Sequence, residues 1–347
     1  NEEHKRISFV DMIDNFRFKA AIPTDIDVLI VDEAQDCSKP QIAALQKAAT
    51  NAKEFIFIGD ADQTIHEYAG SDPEYFYLLA NTEEAKANEL TEGLRCGQTI
   101  NKICRNIIAP VWKEYGRYSE RTWTPTDAVG KSYYIPRLDQ GCKAKDILIN
   151  KILNTNETFL FTYRGNPTHK SVNTFLQDNG IDYKMVSGSA HVSREHFNCF
   201  KNWKTFMNDK VSKQQIKEYW KLMGSKVKVN GLGDVDKLKP LIDKDYNVEE
   251  LINAGYLKPE VKQFERLSQL LNHEALSKNE KLIAKIPYIN KVLNNGMNVN
   301  KKPRVQHDTI HKVKGLTFDN IIVDLSVWRP EPRNFEPTRL AYVAYSR

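Results

Sequence analysis

The sequence predicts an α/β protein built on parallel strands and interrupted by a helical block, and three observations carry that prediction. Val28-Leu29-Ile30-Val31 and Phe55-Ile56-Phe57-Ile58 are four-residue apolar runs, β-branched or aromatic and without polar alternation. Such runs read as strands buried on both faces of a parallel sheet. Residues 121–189 read strand, helix, strand, helix, strand, the alternation a second α/β domain needs. Residues 191–296 change character and carry aromatic and aliphatic residues at helical spacing.

Taken in order, Phe9, Met12, Ile13 and Phe16 lie at helical spacing in residues 7–20, and Pro23-Thr24 ends that helix before the first strand. That strand breaks into Asp32-Glu33-Ala34-Gln35-Asp36. Ser38-Lys39-Pro40 then opens a helix, with Ser38 as N-cap, Pro40 in the first turn, and Ile42, Leu45 and Ala49 on its apolar face. The strand 55–58 breaks into Gly59-Asp60-Ala61-Asp62-Gln63. Residues 89–109 read as a strand end, a glycine-containing turn holding Arg95, and a helix with Ile100, Ile103, Ile107 and Ile108 inward. Tyr133-Tyr134-Ile135, Thr158–Thr162 and Lys184-Met185-Val186 are the next predicted strands, with helices over Ala144–Leu153 and around Val172–Leu176.

In the helical block, Phe197, Phe200, Trp203 and Phe206 recur every third residue, followed by Ile216, Tyr219, Trp220 and Met223, and by Val261, Phe264, Leu267, Leu270 and Leu271. Stripes of this kind are core far more often than base-stacking surface. Ser277-Lys278-Asn279-Glu280 has capping-box form before Leu282, Ile283 and Ile286. The chain then returns to α/β texture, with a strand at 320–325.

The strand ends carry the chemistry. Ligands of parallel sheets bind at the carboxyl ends of strands. Two neighbouring strands delivering Asp32, Glu33, Asp60 and Gln63 to one edge make a compact acidic site suited to a hydrated Mg²⁺ and a phosphate chain. An acidic pair after one apolar run reads equally well as a solvated strand end or a helix cap. The second run, with its own carboxylates two dozen residues later, favours a site.

Composition narrows the class. At 347 residues and 40.0 kDa, with 41% hydrophobic and 27% charged residues, the chain has room for two or three domains. No run of 18 apolar residues occurs, which argues against a membrane-spanning helix, and the charged residues 1–6 are no signal peptide. Five scattered cysteines without a CxxC argue against a disulfide framework or a zinc ribbon, and read as a reduced intracellular protein. His191, His196 and Cys199 lack a fourth metal partner nearby. Residues 201–244 hold 11 lysines against five acids, so this segment alone is more positive than the whole chain at +5. It reads either as a solvated helix face or as a phosphate-contacting surface.

DEAQD (32–36) followed by GDADQTIHEYAG (59–70), each directly after an apolar run, resembles motifs II and III of the UvrD/Rep-type superfamily 1 (SF1A) helicases. Segments resembling motif IV (Arg95), motif V (TIHKVKGLTF, 309–318) and motif VI (RLAYVAYSR, 339–347) follow in that family's order. The resemblance implies two RecA-like P-loop-NTPase-type domains, the first incomplete, with a helical insertion in the second. The expected divisions are 1–86, 87–190 and 297–347 around an insertion at 191–296. It also implies ATP and Mg²⁺ as cofactors, single-stranded and duplex DNA as partners, and 3′ to 5′ translocation coupled to unwinding in repair, recombination or replication. The implied compartment is the cytoplasm or another that contains DNA.

Residue by residue, the resemblance gives Asp32 the Mg²⁺, Glu33 the attacking water and Gln63 the γ-phosphate. Arg95 and Arg347 become arginine fingers, and Gly315 a nucleotide contact. His66, Tyr68, Arg164, Asn166, Thr309 and His311 become DNA contacts, with Tyr68 as stacking platform. Three departures stand out. Leu94 occupies the place of a tyrosine that stacks on adenine, Thr317 that of a glutamate near the ribose, and no G-x-x-x-x-G-K-[ST] loop occurs. The expectation is therefore a fragment whose partner is the P-loop segment of the same protein, and which does not hydrolyse ATP alone. The rival readings are a nucleic-acid-binding protein that has lost its ATPase and the helicase arm of a helicase-nuclease of RecB type.

Overall fold

The computed structural model describes residues 7–19, 25–82, 85–115, 123–229, 245–274, 279–325 and 334–346. The chain divides into two compact units, one of Asn1–Tyr133, Thr162–Arg164 and Thr309–Arg347, the other of Tyr134–Phe161 and Gly165–Asp308.

The first unit opens with helix α1 (Phe9–Lys19), strand β1 (Val28–Val31), helix α2 (Lys39–Ala48) and strand β2 (Glu54–Phe57). β1 and β2 pair in parallel, with Val28 opposite Glu54 and Val31 opposite Phe57. α2 begins as expected: Ser38 caps it, and the Gln41 side-chain oxygen accepts from the Ser38 N–H at 2.7 Å. Helix α3 (Pro73–Ala80), strand β3 (Glu92–Gly97), helix α4 (Gln98–Tyr115) and strand β4 (Thr124–Thr126) follow, with β3 and β4 parallel. The expectation that the two apolar runs are buried on both faces is corrected. Ile30 is 60% exposed, and Val28, Phe55 and Ile58 are also exposed. This sheet is two strands wide among the described residues, too narrow to bury those side chains between neighbouring strands and layers. α4 also outruns its predicted end at 109, continuing through Pro110. Val111 and Trp112 are buried in the unit's core, and that packing outweighs the hydrogen bond Pro110 cannot make.

The second unit contains helix α5 (Lys143–Asn154), strand β5 (Phe159–Tyr163, whose last residues belong to the first unit), helix α6 (Asn166–Asp178) and strand β6 (Tyr183–Met185). The strand expected at Tyr133-Tyr134-Ile135 is not formed; both tyrosines are exposed, and Pro136 removes a backbone donor at the end of the run. Helices α7 (Arg194–Lys201), α8 (Trp203–Asn208), α9 (Lys213–Leu222), α10 (Val248–Asn253), α11 (Leu267–Glu274), α12 (Glu280–Ile283) and α13 (Ile286–Asn294) make the helical block. Phe197, Trp203, Phe206, Ile216, Tyr219, Trp220 and Met223 are all buried there. Asn279, not Ser277, precedes α12; Ser277 and Lys278 lie outside the described residues, as does 230–244 of the lysine-rich segment. Strand β7 (Val305–Thr309) runs parallel to β6, in the spatial order β6-β7-β5. Its sequence, VQHDT, has too few apolar residues to announce a strand.

The chain returns to the first unit through helix α14 (Ile310–Val313), strand β8 (Asn320–Val323) and helix α15 (Glu336–Tyr345). β8 is shorter than the predicted 320–325. The Asp324 N–H donates to the Thr162 carbonyl at 2.9 Å, which seats β8's end beside β5's last residues. α15 packs on α4, and Leu340, Tyr342, Val343 and Ala344 meet Ile65, Cys104, Ile108 and Trp112 in one core.

Candidate functional site

In the first unit the ends of β1 and β2 stand side by side. The Ile58 N–H donates to the Val31 carbonyl and the Ala34 N–H to the Ile58 carbonyl, both at 2.9 Å, so DEAQD and GDADQ leave the sheet in register. Asp32 and Glu33 are exposed. Glu33 takes φ 52° and ψ 38°, the one non-glycine with positive φ among the described residues. An L-residue there costs about 1–2 kcal/mol, and such strain collects at functional sites.

What holds Glu33 is Gln35, a residue the sequence reading quoted without giving it a role. Gln35 is fully buried, its amide nitrogen donates to Glu33 Oε2 at 2.5 Å, and its oxygen accepts from the Asp60 N–H at 3.0 Å. Gly59 makes room for it: a Cβ there would lie 2.2 Å from Gln35 Oε1. A glycine directly before a carboxylate at a strand end was the available signal. Asp60 in turn caps the turn Ala61–Gln63, accepting from the Asp62 N–H at 3.0 Å and from the Gln63 amide at 2.8 Å. Asp62 is buried and accepts from the Trp112 indole at 3.0 Å.

Lys314 is the second residue the reading missed. Its side chain is 8% exposed, and its ammonium pairs with Asp36, donates to the Gln63 carbonyl at 3.0 Å, and lies 3.6 Å from Glu33. Gly315 follows at φ +85°, a conformation that favours glycine, and turns the chain away after α14. The residues of the motif II, III and V segments thus meet within one unit.

A pocket of about 120 Å³ opens beside Gln63, lined also by Leu94, Arg95, Cys96, Trp123, Tyr342 and Ser346. Arg95 lies inside β3, not in the turn expected for it, because β3 extends to Gly97. Gly97 has no room for a side chain against the Ala128 carbonyl. Thr317 is exposed, and Arg347 lies outside the described residues. Gly130-Lys131-Ser132 comes nearest to a phosphate loop, but Pro125 stands in place of the first glycine. The carbonyls of Ala128 and Val129 there accept from Gln98 and Thr99 at the start of α4.

Five residues beyond Gln63 an aromatic cluster forms. The rings of His66, Tyr68 and His311 lie pairwise 5.6–5.8 Å apart, and His66 Nδ1 and the Tyr68 hydroxyl are 3.2 Å apart. Tyr68 is 73% exposed. His311 hydrogen-bonds through Nε2 to the Ile65 carbonyl, and burial, then the neighbouring His66, holds its pKa below the ordinary histidine value. Arg164 follows β5 in the same unit and acts electrostatically on His311; Thr309 caps α14. Asn166 opens α6 in the second unit. Three of the six expected DNA contacts therefore touch one another.

Residues 7–84 match the UvrD/REP helicase N-terminal domain. That segment is UvrD-like. Over 178 residues the chain is 26% identical to the ATP-dependent DNA helicase Rep of Escherichia coli (strain K12), covering 49% of this chain and 26% of that protein. Over 196 residues it is 22% identical to the ATP-dependent DNA helicase PcrA of Staphylococcus aureus (strain Mu50), covering 54% of this chain and 26% of that protein. The aligned part is about a quarter of the length of these relatives. The mixed α/β architecture with parallel strands fits the RecA-like class of this UvrD-like family. Among the described residues no helix is long and apolar enough to cross a membrane.

Proposed function

We propose that the chain is the motif II–VI part of an ATP-dependent DNA helicase that moves along single-stranded DNA in the 3′ to 5′ direction. The observation that carries the reading is the stretch 63–68. At one end Gln63 lines the pocket with Arg95, and at the other Tyr68 presents an exposed ring against His66 and His311.

The donor set suits a magnesium nucleotide. Mg²⁺ favours one or two carboxylates, waters and phosphates over a dense protein cage, and exposed Asp32 beside Glu33 offers that. Bound MgATP supplies the phosphoanhydride bond whose hydrolysis releases energy. Asp32 would hold the cation, and Glu33, fixed by Gln35, would orient and deprotonate water. Lys314 keeps a positive charge beside that carboxylate. Gln63 and Arg95 face the pocket where phosphate charge would be met, with Arg347 as a second finger, each such arginine contributing roughly 10³–10⁵ in rate. Gly315 would shape the loop beside the nucleotide. Tyr68, with His66 and His311, would stack on bases, while Arg164, Asn166 and Thr309 would contact the backbone. Without a P-loop in its 347 residues the chain alone is expected not to turn over ATP.

The test is binding of a fluorescent oligo(dT) to the chain itself. Tyr68→Ala should weaken binding by about 1–3 kcal/mol with an unchanged thermal midpoint, and Tyr68→Trp should preserve it. Equal affinity for wild type and Tyr68→Ala would remove the stacking platform from the reading.

A further inference from the structure

The aromatic turn that carries Tyr68 is tied to the rest of the first unit by an ion pair between the motif III-like segment 59–70 and the motif VI-like segment 339–347, neither of whose members has a role in the sequence analysis. Glu67 opens the turn Glu67–Ala69, and its Oε1 accepts from Arg339 Nη1 at 2.5 Å. Arg339 is 2% exposed and sits in α15, where every residue from Pro337 to Ala344 is buried and Arg339 is the sole charged one. Removing one partner of a buried pair leaves an uncompensated charge and is far more disruptive than replacing both with neutral groups. Burial raises the Glu67 carboxyl above its ordinary range, and Arg339 acts against that rise.

α15 is also a wall of the pocket. Tyr342 and Ser346 line it together with Gln63, Arg95 and Cys96, and the Cys96 thiol donates to the Ser346 carbonyl at 3.7 Å. From Arg339 to Ser346 is seven residues of helix, about 10 Å along the axis. The helix packs on the turn Ala61–Gln63 as well. A helix buried from Pro337 to Ala344 thus grips the Tyr68 turn near its start and shapes the pocket at its end.

We infer that Glu67 and Arg339 are positioning residues that couple the Tyr68 platform to the Gln63–Arg95 pocket through α15, beside the direct route along residues 63–68. A ligand that displaces the Tyr68 ring shifts the turn Glu67–Ala69, and the half-buried ion pair passes that shift to α15 and to the carbonyl that Cys96 bonds. Hydrogen-bonded ion pairs of this kind transmit because they are directional and costly to stretch. The inference rests on the proposal that Tyr68 stacks on single-stranded DNA.

The test uses the chain as it is. Trypsin cuts after Arg95 and Lys102, so the peptide between them holds Cys96 alone. Its alkylation rate by iodoacetamide reports on the pocket. Saturating oligo(dT) should change that rate by about fivefold in the wild type, within the usual range of coupling between sites. In Glu67→Gln/Arg339→Met, which keeps the side-chain lengths without the charges, oligo(dT) should still bind and the change should vanish. Where the double variant fails to fold, Glu67→Asp, which keeps the charge but shortens the reach to Arg339, carries the same comparison. An equal change in wild type and variant overturns the inference, and so does a wild type that binds oligo(dT) with no change at Cys96. A wild type that does not bind oligo(dT) overturns the nucleic-acid reading, and the coupling falls with it.

Discussion

The helical block of the second unit and the strand-end region of the first solve opposite problems. In the block, large aromatics at helical spacing are buried and their polar atoms are met. The Trp203 indole donates to the Phe264 carbonyl and the Tyr288 hydroxyl to the Ile181 carbonyl, both at 2.9 Å, while Arg194 pairs with buried Asp182. At the strand ends, Ile30 and Phe55 remain exposed, Glu33 is held in a left-handed conformation, and the ammonium of a nearly buried side chain sits among carboxylates. One region is arranged for packing. The other tolerates local strain and exposed apolar surface, and it holds the groups with chemical potential, as sites do.

That contrast can be broken most decisively in the block. Trp203→Ala removes a fully buried ring and a buried hydrogen bond, and should cost about 3–5 kcal/mol in a urea unfolding experiment. A loss below about 1 kcal/mol would mean the aromatic stripe is not the core of the unit.

Acid should expose the same asymmetry at intermediate size. Burial pushes His307 and His191, both in the second unit, from 6.5 down to about 4. Between those values the unfolded chain binds protons that the folded chain refuses, so stability falls as pH drops from 6.5 toward 4. The thermal midpoint of the second unit should fall by on the order of 5 °C across that window. His191→Phe, keeping a ring stacked on Tyr183, should flatten the slope. A slope unaltered by the substitution would assign the acid sensitivity elsewhere.

The smallest effect has the opposite sign. Glu33→Gly relieves the left-handed strain and should raise stability by about 1 kcal/mol, even though it deletes the carboxylate proposed as base. A lower thermal midpoint would show that the Gln35 hydrogen bond to Glu33 outweighs the strain.

Much of this was legible in the sequence because the signals are local. Apolar runs that end in carboxylates mark β1 and β2, a Ser-Lys-Pro start marks α2, and the spacing of Phe197, Trp203 and Phe206 marks a packed helical face. The close grouping of Asp32, Glu33 and Gln63 follows from two neighbouring parallel strands. Short polar strands such as β7 carried no such signal, and the burial expected of β1 and β2 failed because burial depends on neighbours that a four-residue run does not specify.

What only the tertiary structure decided are the pairings between distant residues. Gln35 bonds to Asp60 across 25 positions, Trp112 to Asp62 across 50, Lys314 to Gln63 across 251 and Arg339 to Glu67 across 272. Gln35, Lys314 and Arg339 are polar or charged side chains of types common at the surface, so composition and spacing read them as solvated, and the Trp112 indole reads simply as core. Burial changes their role, because a group removed from water requires a partner, and the partner is chosen by how the helices and strands pack.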